Sequence, residues 1–184
     1  YDRVFETNLI LLYGASGTGK TSLIKCGLAN KFESTDWHPM YIRREENIVE
    51  TLHKEIDKIT LTKVKGNSVV EKVKSLYLDY FKPIYLIFDQ FEELFILGTR
   101  EEQIEFFEKI KSLLDEGLQC KIVISMREEY IAYLSDYELV IPALFDNRQR
   151  IEKMNTLQVQ EVIVGTMDAF GIKMKPEQDV VDLI

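Results

Sequence analysis

The chain has 184 residues, 46% of them hydrophobic and 11% aromatic, which is enough for the core of one domain with a small appendage. Its 23 basic and 31 acidic residues give a net charge of −8, the opposite of what a nucleic-acid-binding protein usually carries. Because its two cysteines lack pairing or metal-ligand spacing and no apolar run is long enough to span a bilayer, we expect a cytoplasmic protein that binds neither nucleic acid nor a membrane.

Strand-like and helix-like segments alternate along the chain, which is the pattern of a parallel sheet with crossover helices. Continuous apolar runs predict buried strands, and apolar residues three and four apart predict amphipathic helices. The predicted strands are residues 8–14, 37–43, 83–89, 120–127 and 148–154. The predicted helices between them are residues 19–32, 48–59, 69–80 and 99–117, the last with a capping box between Thr99 and Glu102.

The pattern changes beyond Thr156, where apolar residues continue at helical spacing and no further strand follows. We therefore predict an α/β fold whose core occupies residues 1–155, with a central parallel sheet of about five strands between two layers of helices. Residues 156–184 are predicted to begin a small helical subdomain. The abrupt ends of the sequence suggest a piece of a longer chain.

The strongest chemical signal is residues 14–21, GASGTGKT, which match the Walker A pattern G-x-x-x-x-G-K-[ST] between a predicted strand and a predicted helix. Glycines at 14, 17 and 19 would let the backbone N–H groups surround phosphates at the positive end of the helix dipole. Lys20 would then meet the β- and γ-phosphates, and the Thr21 hydroxyl would ligate Mg²⁺. An ordinary turn with an incidental lysine is the alternative. The predicted nucleotide contacts are Gly14, Ser16, Gly17, Thr18, Gly19, Lys20, Thr21 and Ser22.

Asp89 ends the apolar run of the third predicted strand and is the candidate Walker B residue, which reaches the metal ion through water. The alternative is an aspartate that only caps the following turn. No asparagine-lysine-x-aspartate run is present for guanine recognition. The expected ligands are therefore ATP or ADP together with Mg²⁺.

Gln90 occupies the position where many ATP-hydrolysing enzymes carry a glutamate that deprotonates the attacking water. Its amide could orient a water molecule but cannot accept a proton, so hydrolysis is expected to be slow. Glu92 and Glu93 are the candidate bases, and Glu92 ranks first because a helical turn starting at Gln90 would bring it closer to the metal. Acids in a first helical turn are also favoured by the helix dipole alone.

Arg127 follows the fourth predicted strand, at the sheet edge where open α/β folds bind ligands. A guanidinium there could sense the γ-phosphate and release a lid when that group leaves. A surface ion pair with Glu128 or Glu129 is the alternative. Arg43 and Arg44 end the second predicted strand and are interpreted as a solvated pair.

Residues 14–28, 86–95 and 122–130, which read GASGTGKTSLIKCGL, LIFDQFEELF and IVISMREEY, together resemble the STAND class of P-loop NTPases. The resemblance extends over about residues 9–170 and is greatest to the prokaryotic branch with a D-Q-F-E-E motif. It implies an additional-strand ATPase core followed by a helical lid, with an arginine after the fourth strand. It also implies a slow switch that oligomerises within a longer signalling protein, and many bacterial and archaeal members are linked to antiviral defence.

The sequence departs from the wider class in three features. An upstream hydrophobic-glycine-arginine element for adenine is not found, the lid segment VGTMDAFG lacks a proline, and no complete winged helix fits after Pro176. We therefore expect this segment alone to bind nucleotide weakly.

Two other functions remain open. A small-molecule phosphotransferase, such as a nucleoside kinase, would need an arginine-rich lid after the third strand, whereas residues 92–118 are acidic and amphipathic. A nucleotide-dependent scaffold without turnover is compatible with Gln90.

Overall fold

A computed structural model describes residues 7–33, 35–62 and 68–171 of the chain. Five parallel strands form one sheet: β1 Leu9–Gly14, β2 His38–Ile42, β3 Ile84–Phe88, β4 Cys120–Arg127 and β5 Arg148–Arg150. Their order in the sheet is β2-β3-β4-β1-β5. The prediction of an α/β fold with about five parallel strands is thereby confirmed.

Helices cover both faces of this sheet, as right-handed crossovers between parallel strands require. They are α1 at Lys20–Lys31, α2 at Ile48–Ile59, α3 at Val69–Tyr80, α4 at Glu93–Leu97 and α5 at Arg100–Asp115. Two 3₁₀-helical segments, Glu128–Tyr137 and Pro142–Phe145, lie between β4 and β5.

Helix α1 differs from the regular helix that was predicted. It begins with an α-helical turn at Lys20–Ser22, continues as a π-helix at Leu23–Leu28 and ends as a 3₁₀ turn at Ala29–Lys31. The spacing of Ile24 and Leu28 on its apolar face suits both helix types, so the sequence pattern could not distinguish them.

The core consists of two apolar layers, one on each face of the sheet. The larger layer packs the sheet against α2, α3 and α5, and the smaller one packs it against α1 and Trp37. Strand β3 is buried at all five positions, because strands pair with it on both sides and helices cover both faces. Within the described part of the chain, strand β5 pairs only with β1, and its three residues are exposed.

The predicted capping box of α5 forms only in part. The Thr99 hydroxyl accepts the backbone N–H of Glu102 at 3.2 Å, as predicted. The Glu102 carboxylate instead accepts hydrogen bonds from Arg44 and from the backbone N–H of Ile48, at the start of α2. Glu102 therefore ties the loop after β2 to α5.

The chain divides into two compact units, Tyr1–Ile151 and Glu152–Ile184. In the second unit, α6 spans Thr156–Ala169 and begins with a complete capping box between Asn155 and Gln158. Residues 172–184 of the predicted subdomain lie outside the described residues. Across the described ranges, no helix has the length and apolar character needed to cross a bilayer.

Candidate functional site

The segment between β1 and α1 forms the loop that the Walker A pattern predicted. Gly17 and Gly19 have φ angles of 75° and 83°, a left-handed conformation that glycine adopts without a steric penalty. Gly14 is required for another reason, since a Cβ atom there would lie 2.2 Å from the carbonyl oxygen of Ile151. The Lys20 amine donates to the carbonyl oxygens of Gly14 and Ala15, both at 2.8 Å, and so lies against the loop.

Thr21 and Asp89 meet at the carboxyl edge of the sheet. The Thr21 hydroxyl lies 3.1 and 3.0 Å from the two carboxylate oxygens of Asp89. Strands β1 and β3 are separated by β4, but residues that follow parallel strands come together at one edge of the sheet. The two predicted magnesium ligands are therefore neighbours in the structure.

A cavity of about 350 Å³ lies between the loop and this edge. Its lining residues are Ser16, Gly17, Gly19, Lys20, Thr21, Ser22, Asp89, Gln90, Glu92, Ser125 and Arg127. Two further predicted contacts, Gly14 and Thr18, are not among these lining residues. The buried Thr18 hydroxyl donates to the carbonyl oxygen of Ala15 at 3.0 Å.

Gln90 adopts a left-handed conformation with φ 56°, which is uncommon for a residue with a side chain and occurs often at functional sites. The next residue, Phe91, donates its backbone N–H to the Ser125 carbonyl at 2.9 Å. This tight turn directs the chain back toward the end of β4. It places Gln90 and Glu92 in the cavity lining, whereas Glu93 is not among the lining residues.

Glu92 and Arg127 form an ion pair at the mouth of the cavity. The Arg127 Nε atom lies 3.0 Å from one carboxylate oxygen, and the Arg127 backbone N–H donates to the other at 3.1 Å. The alternative pairing of Arg127 with Glu128 or Glu129 is not what the structure shows. Glu128 instead contacts Arg150 at 2.8 Å, and this hydrogen bond lowers the pKa of Glu128.

The interpretation of Arg43 and Arg44 as a solvated pair holds only in part, because Arg43 is half-exposed and Arg44 is not, and each guanidinium contacts a carboxylate. Because Ile42 pairs with Phe88, Arg43 lies beside Asp89, and its Nη2 atom is 2.9 Å from Asp89 Oδ2. Arg44 turns the other way and forms a bidentate pair with Glu102. Arg43 ends a predicted parallel strand, and the same criterion identified Arg127 as a candidate site residue. That position was the sequence signal for a role of Arg43 at the site.

Ser125 was also missed by the sequence reasoning. Its side chain is fully buried and lines the cavity, yet within the described part of the chain its hydroxyl has no hydrogen-bond partner. Buried hydroxyl groups are normally satisfied, so this one marks a position where a ligand could bind. The sequence signal for Ser125 was a polar residue inside an apolar strand. It lies two residues before Arg127 and therefore on the same face of the strand.

The oxygen atoms of Thr21 and Asp89 suit Mg²⁺, which prefers one or two protein oxygen ligands together with phosphate and water oxygens. Among the described residues there is no cluster of three or more histidine, cysteine, aspartate or glutamate side chains that could hold a metal ion.

The fold of the chain is similar to that of several solved structures. The Walker-type ATPase PABY2304 of Pyrococcus abyssi has a TM-score of 0.63 and 16% identity, covering 95% of this chain and 57% of that one. The Aeropyrum pernix ORC2 protein in its ADP form has a TM-score of 0.62 and 15% identity, with 91% and 49% covered. A replication initiator DnaA bound to AMPPCP and single-stranded DNA has a TM-score of 0.58 and 19% identity, with 100% and 54% covered.

The chain thus spans about half the length of these three proteins, and at these identities the likeness shows the three-layer P-loop ATPase fold. A comparison with curated proteins gave no match. The model of the family described as Novel STAND NTPase 1 matches residues 1–184. Because this match covers the whole chain and agrees with the Walker A loop and its cavity, the chain belongs to the Novel STAND NTPase 1 family.

Proposed function

We propose that the chain is the ATP-binding, slowly hydrolysing switch domain of a STAND-type signalling protein. The observation that carries the proposal is the meeting of Lys20, Thr21 and Asp89 in one cavity, where the Thr21 hydroxyl lies 3.0 Å from the Asp89 carboxylate. The adenine nucleotides named for the ORC2 and DnaA structures support ATP and ADP as the ligands.

Binding would use the loop in the manner of other P-loop proteins. Its N–H groups would surround the phosphates, and the Lys20 amine would move from the loop carbonyls to the β- and γ-phosphates. Mg²⁺ would be held by Thr21 and Asp89 and would offset the phosphate charge. Arg127, at the mouth of the cavity, would respond to the presence of the γ-phosphate.

The proposal of slow hydrolysis is supported by the groups around the attacking water. Gln90 cannot accept a proton, and both carboxylate oxygens of Glu92 already accept hydrogen bonds or ion-pair contacts from Arg127. Both oxygens are thus occupied by Arg127, so neither is free to accept the proton of an attacking water. Glu92 remains our candidate base, and its release would depend on movement of Arg127.

The proposal also covers the location, the second unit and the self-association of the protein. We assign the protein to the cytoplasm and its second unit, with helix α6 at Thr156–Ala169, to the start of a lid subdomain. We further propose self-association through a longer chain, in signalling that includes antiviral defence. The net charge of −8 disfavours direct contact with nucleic acid, although two of the similar structures are DNA complexes.

Nucleotide binding is tested by titrating a fluorescent ATP analogue, with Mg²⁺, against wild type and Lys20→Ala. Loss of a charge-assisted contact of about 1.5–3 kcal/mol should weaken the affinity by about tenfold to a hundredfold. Lys25→Ala is the matched control, because Lys25 is an exposed lysine one turn further along α1. Equal affinities of wild type and Lys20→Ala would remove the basis of the proposal.

Single-turnover hydrolysis separates the slow switch from a scaffold without turnover. The switch predicts a slow but measurable rate, which Glu92→Gln lowers and Glu93→Gln leaves unchanged, since only Glu92 lines the cavity. A zero rate in the longer parent protein with its trigger present would favour the scaffold. Phosphate transfer to a nucleoside in a substrate screen would instead favour the kinase alternative.

A further inference from the structure

The Asp89 carboxylate has a cationic neighbour that the proposed function does not use. Arg43 Nη2 lies 2.9 Å from Asp89 Oδ2, the same oxygen that lies 3.0 Å from the Thr21 hydroxyl. The contact is built into the sheet, because Ile42 pairs with Phe88 and the Asp89 backbone N–H donates to the Ile42 carbonyl at 3.0 Å. The two residues after these strands are therefore held side by side.

The two side chains of this pair differ in exposure. The Asp89 side chain is 6% exposed, whereas that of Arg43 is 49% exposed. A buried carboxylate requires a cation or hydrogen-bond donors, because leaving it unpaired in the interior is costly. The guanidinium of Arg43 can swing into solvent at little cost, so a second cation could replace it at Asp89.

The neighbouring arginine, Arg44, is held more tightly than Arg43. Arg44 is 10% exposed, and its guanidinium makes two parallel contacts with Glu102, at 3.0 and 2.9 Å. Such a bidentate pair fixes both side chains. Arg43 makes one contact through one nitrogen, which is the geometry of an exchangeable partner.

We propose that Arg43 competes with Mg²⁺ for Asp89 and thereby sets the Mg²⁺ concentration at which the site binds metal together with nucleotide. This inference rests on the proposed function. A guanidinium and a divalent cation that lie at the same carboxylate repel each other, so each weakens the binding of the other. Binding of the metal would therefore weaken the contact between Arg43 and Asp89, which connects the end of β2 to the state of the site.

The test is a Mg²⁺ titration at a fixed concentration of a fluorescent ATP analogue, in wild type, Arg43→Met and Arg43→Lys. Removing a half-exposed competing ion pair should lower the half-saturating Mg²⁺ concentration of Arg43→Met by about fivefold. Arg43→Lys keeps the charge and should stay nearer the wild-type value. Arg100→Met is the matched control, because Arg100 is 53% exposed and pairs with Asp136 elsewhere; its half-saturating value should equal that of wild type.

Two results would overturn the inference. One is an Arg43→Met half-saturating value equal to that of wild type; the other is weaker nucleotide binding by Arg43→Met in EDTA, which would make Arg43 a phosphate ligand. Binding of Mn²⁺ alone, followed by electron paramagnetic resonance, repeats the comparison without nucleotide. Failure of wild type to bind nucleotide would contradict the proposed function, whereas the Mn²⁺ comparison would still decide the role of Arg43. Thermal melts of the variants confirm that each is folded.

Discussion

Glu102→Ala is expected to lower the free energy of unfolding by about 3–5 kcal/mol, because removing one partner of a buried ion pair leaves an uncompensated charge. The Glu102 side chain is 4% exposed and that of its partner Arg44 is 10% exposed. The same carboxylate accepts the backbone N–H of Ile48 at 2.7 Å. The substitution would therefore leave both a guanidinium and a helix N-terminal N–H without their acceptor.

Chemical denaturation followed by circular dichroism measures this change. Glu105→Ala is the matched control, because Glu105 lies on the same helix, is exposed, and approaches Lys109 only to 3.9 Å. It should change the free energy of unfolding by less than about 0.5 kcal/mol. Glu102→Gln keeps the side-chain volume and one acceptor oxygen. Its free energy of unfolding should therefore lie between those of Glu102→Ala and Glu105→Ala. A Glu102→Ala protein as stable as Glu105→Ala would show that Arg44 finds another acceptor.

We expect removal of the Glu102 carboxylate to affect the candidate site as well. Glu102 fixes the loop that follows β2, through Arg44 and the first residue of α2. Arg43 is the first residue of that loop and contacts Asp89. We therefore expect Glu102→Gln, which retains more of the fold, to change the Mg²⁺ dependence of nucleotide binding in the same direction as Arg43→Met.

Much of the fold was predictable because apolar runs and helical spacing are local properties of the sequence. The run IYLIF specifies a fully buried strand, and β3 is buried at all five of its residues. The stripe from Ile48 to Ile59 gives α2 with the same bounds. Strand order was not predicted, since it depends on which strands pair across long stretches of chain, and no local pattern encodes that choice.

The candidate site was predictable where a motif fixes a backbone shape, as at the Walker A loop, or where a single polar residue ends an apolar strand, as at Asp89. The partners of the arginines were not predictable in this way. Arg43 and Arg44 are adjacent and chemically identical, yet one contacts Asp89 and the other Glu102, because successive side chains at a strand end point in opposite directions. Only the position of β2 beside β3 shows which arginine reaches Asp89.

Gly14→Ala is expected to destabilise the protein by about 3 kcal/mol or more, at the upper end of the cost of overpacking a tight site. A Cβ atom on Gly14 would lie 2.2 Å from the Ile151 carbonyl oxygen and 3.2 Å from the Thr18 hydroxyl. The nearer neighbour is a backbone atom, and Ile151 is held to β1 by a 2.7 Å hydrogen bond from its N–H to the Tyr13 carbonyl. It therefore cannot move aside as a flexible side chain would.

The same substitution at Gly165, inside helix α6, is the matched control. A Cβ atom there would meet nothing within 4 Å, and alanine is about 1 kcal/mol more favourable than glycine in a helix interior. Gly165→Ala should therefore be neutral or stabilising in chemical denaturation, while Gly14→Ala loses stability. An equal effect at both positions would contradict the close approach of Ile151.

Gly14→Ala should also weaken nucleotide binding in the fraction of protein that remains folded. Relief of the clash requires β1 and the chain after β5 to separate, and the Gly14 carbonyl that contacts the Lys20 amine would move with β1. Titration of the fluorescent ATP analogue below the melting temperature measures this effect apart from stability. Gly14 thus links the packing of the sheet edge to the shape of the phosphate-binding loop, because its lack of a side chain allows Ile151 to lie directly against that loop.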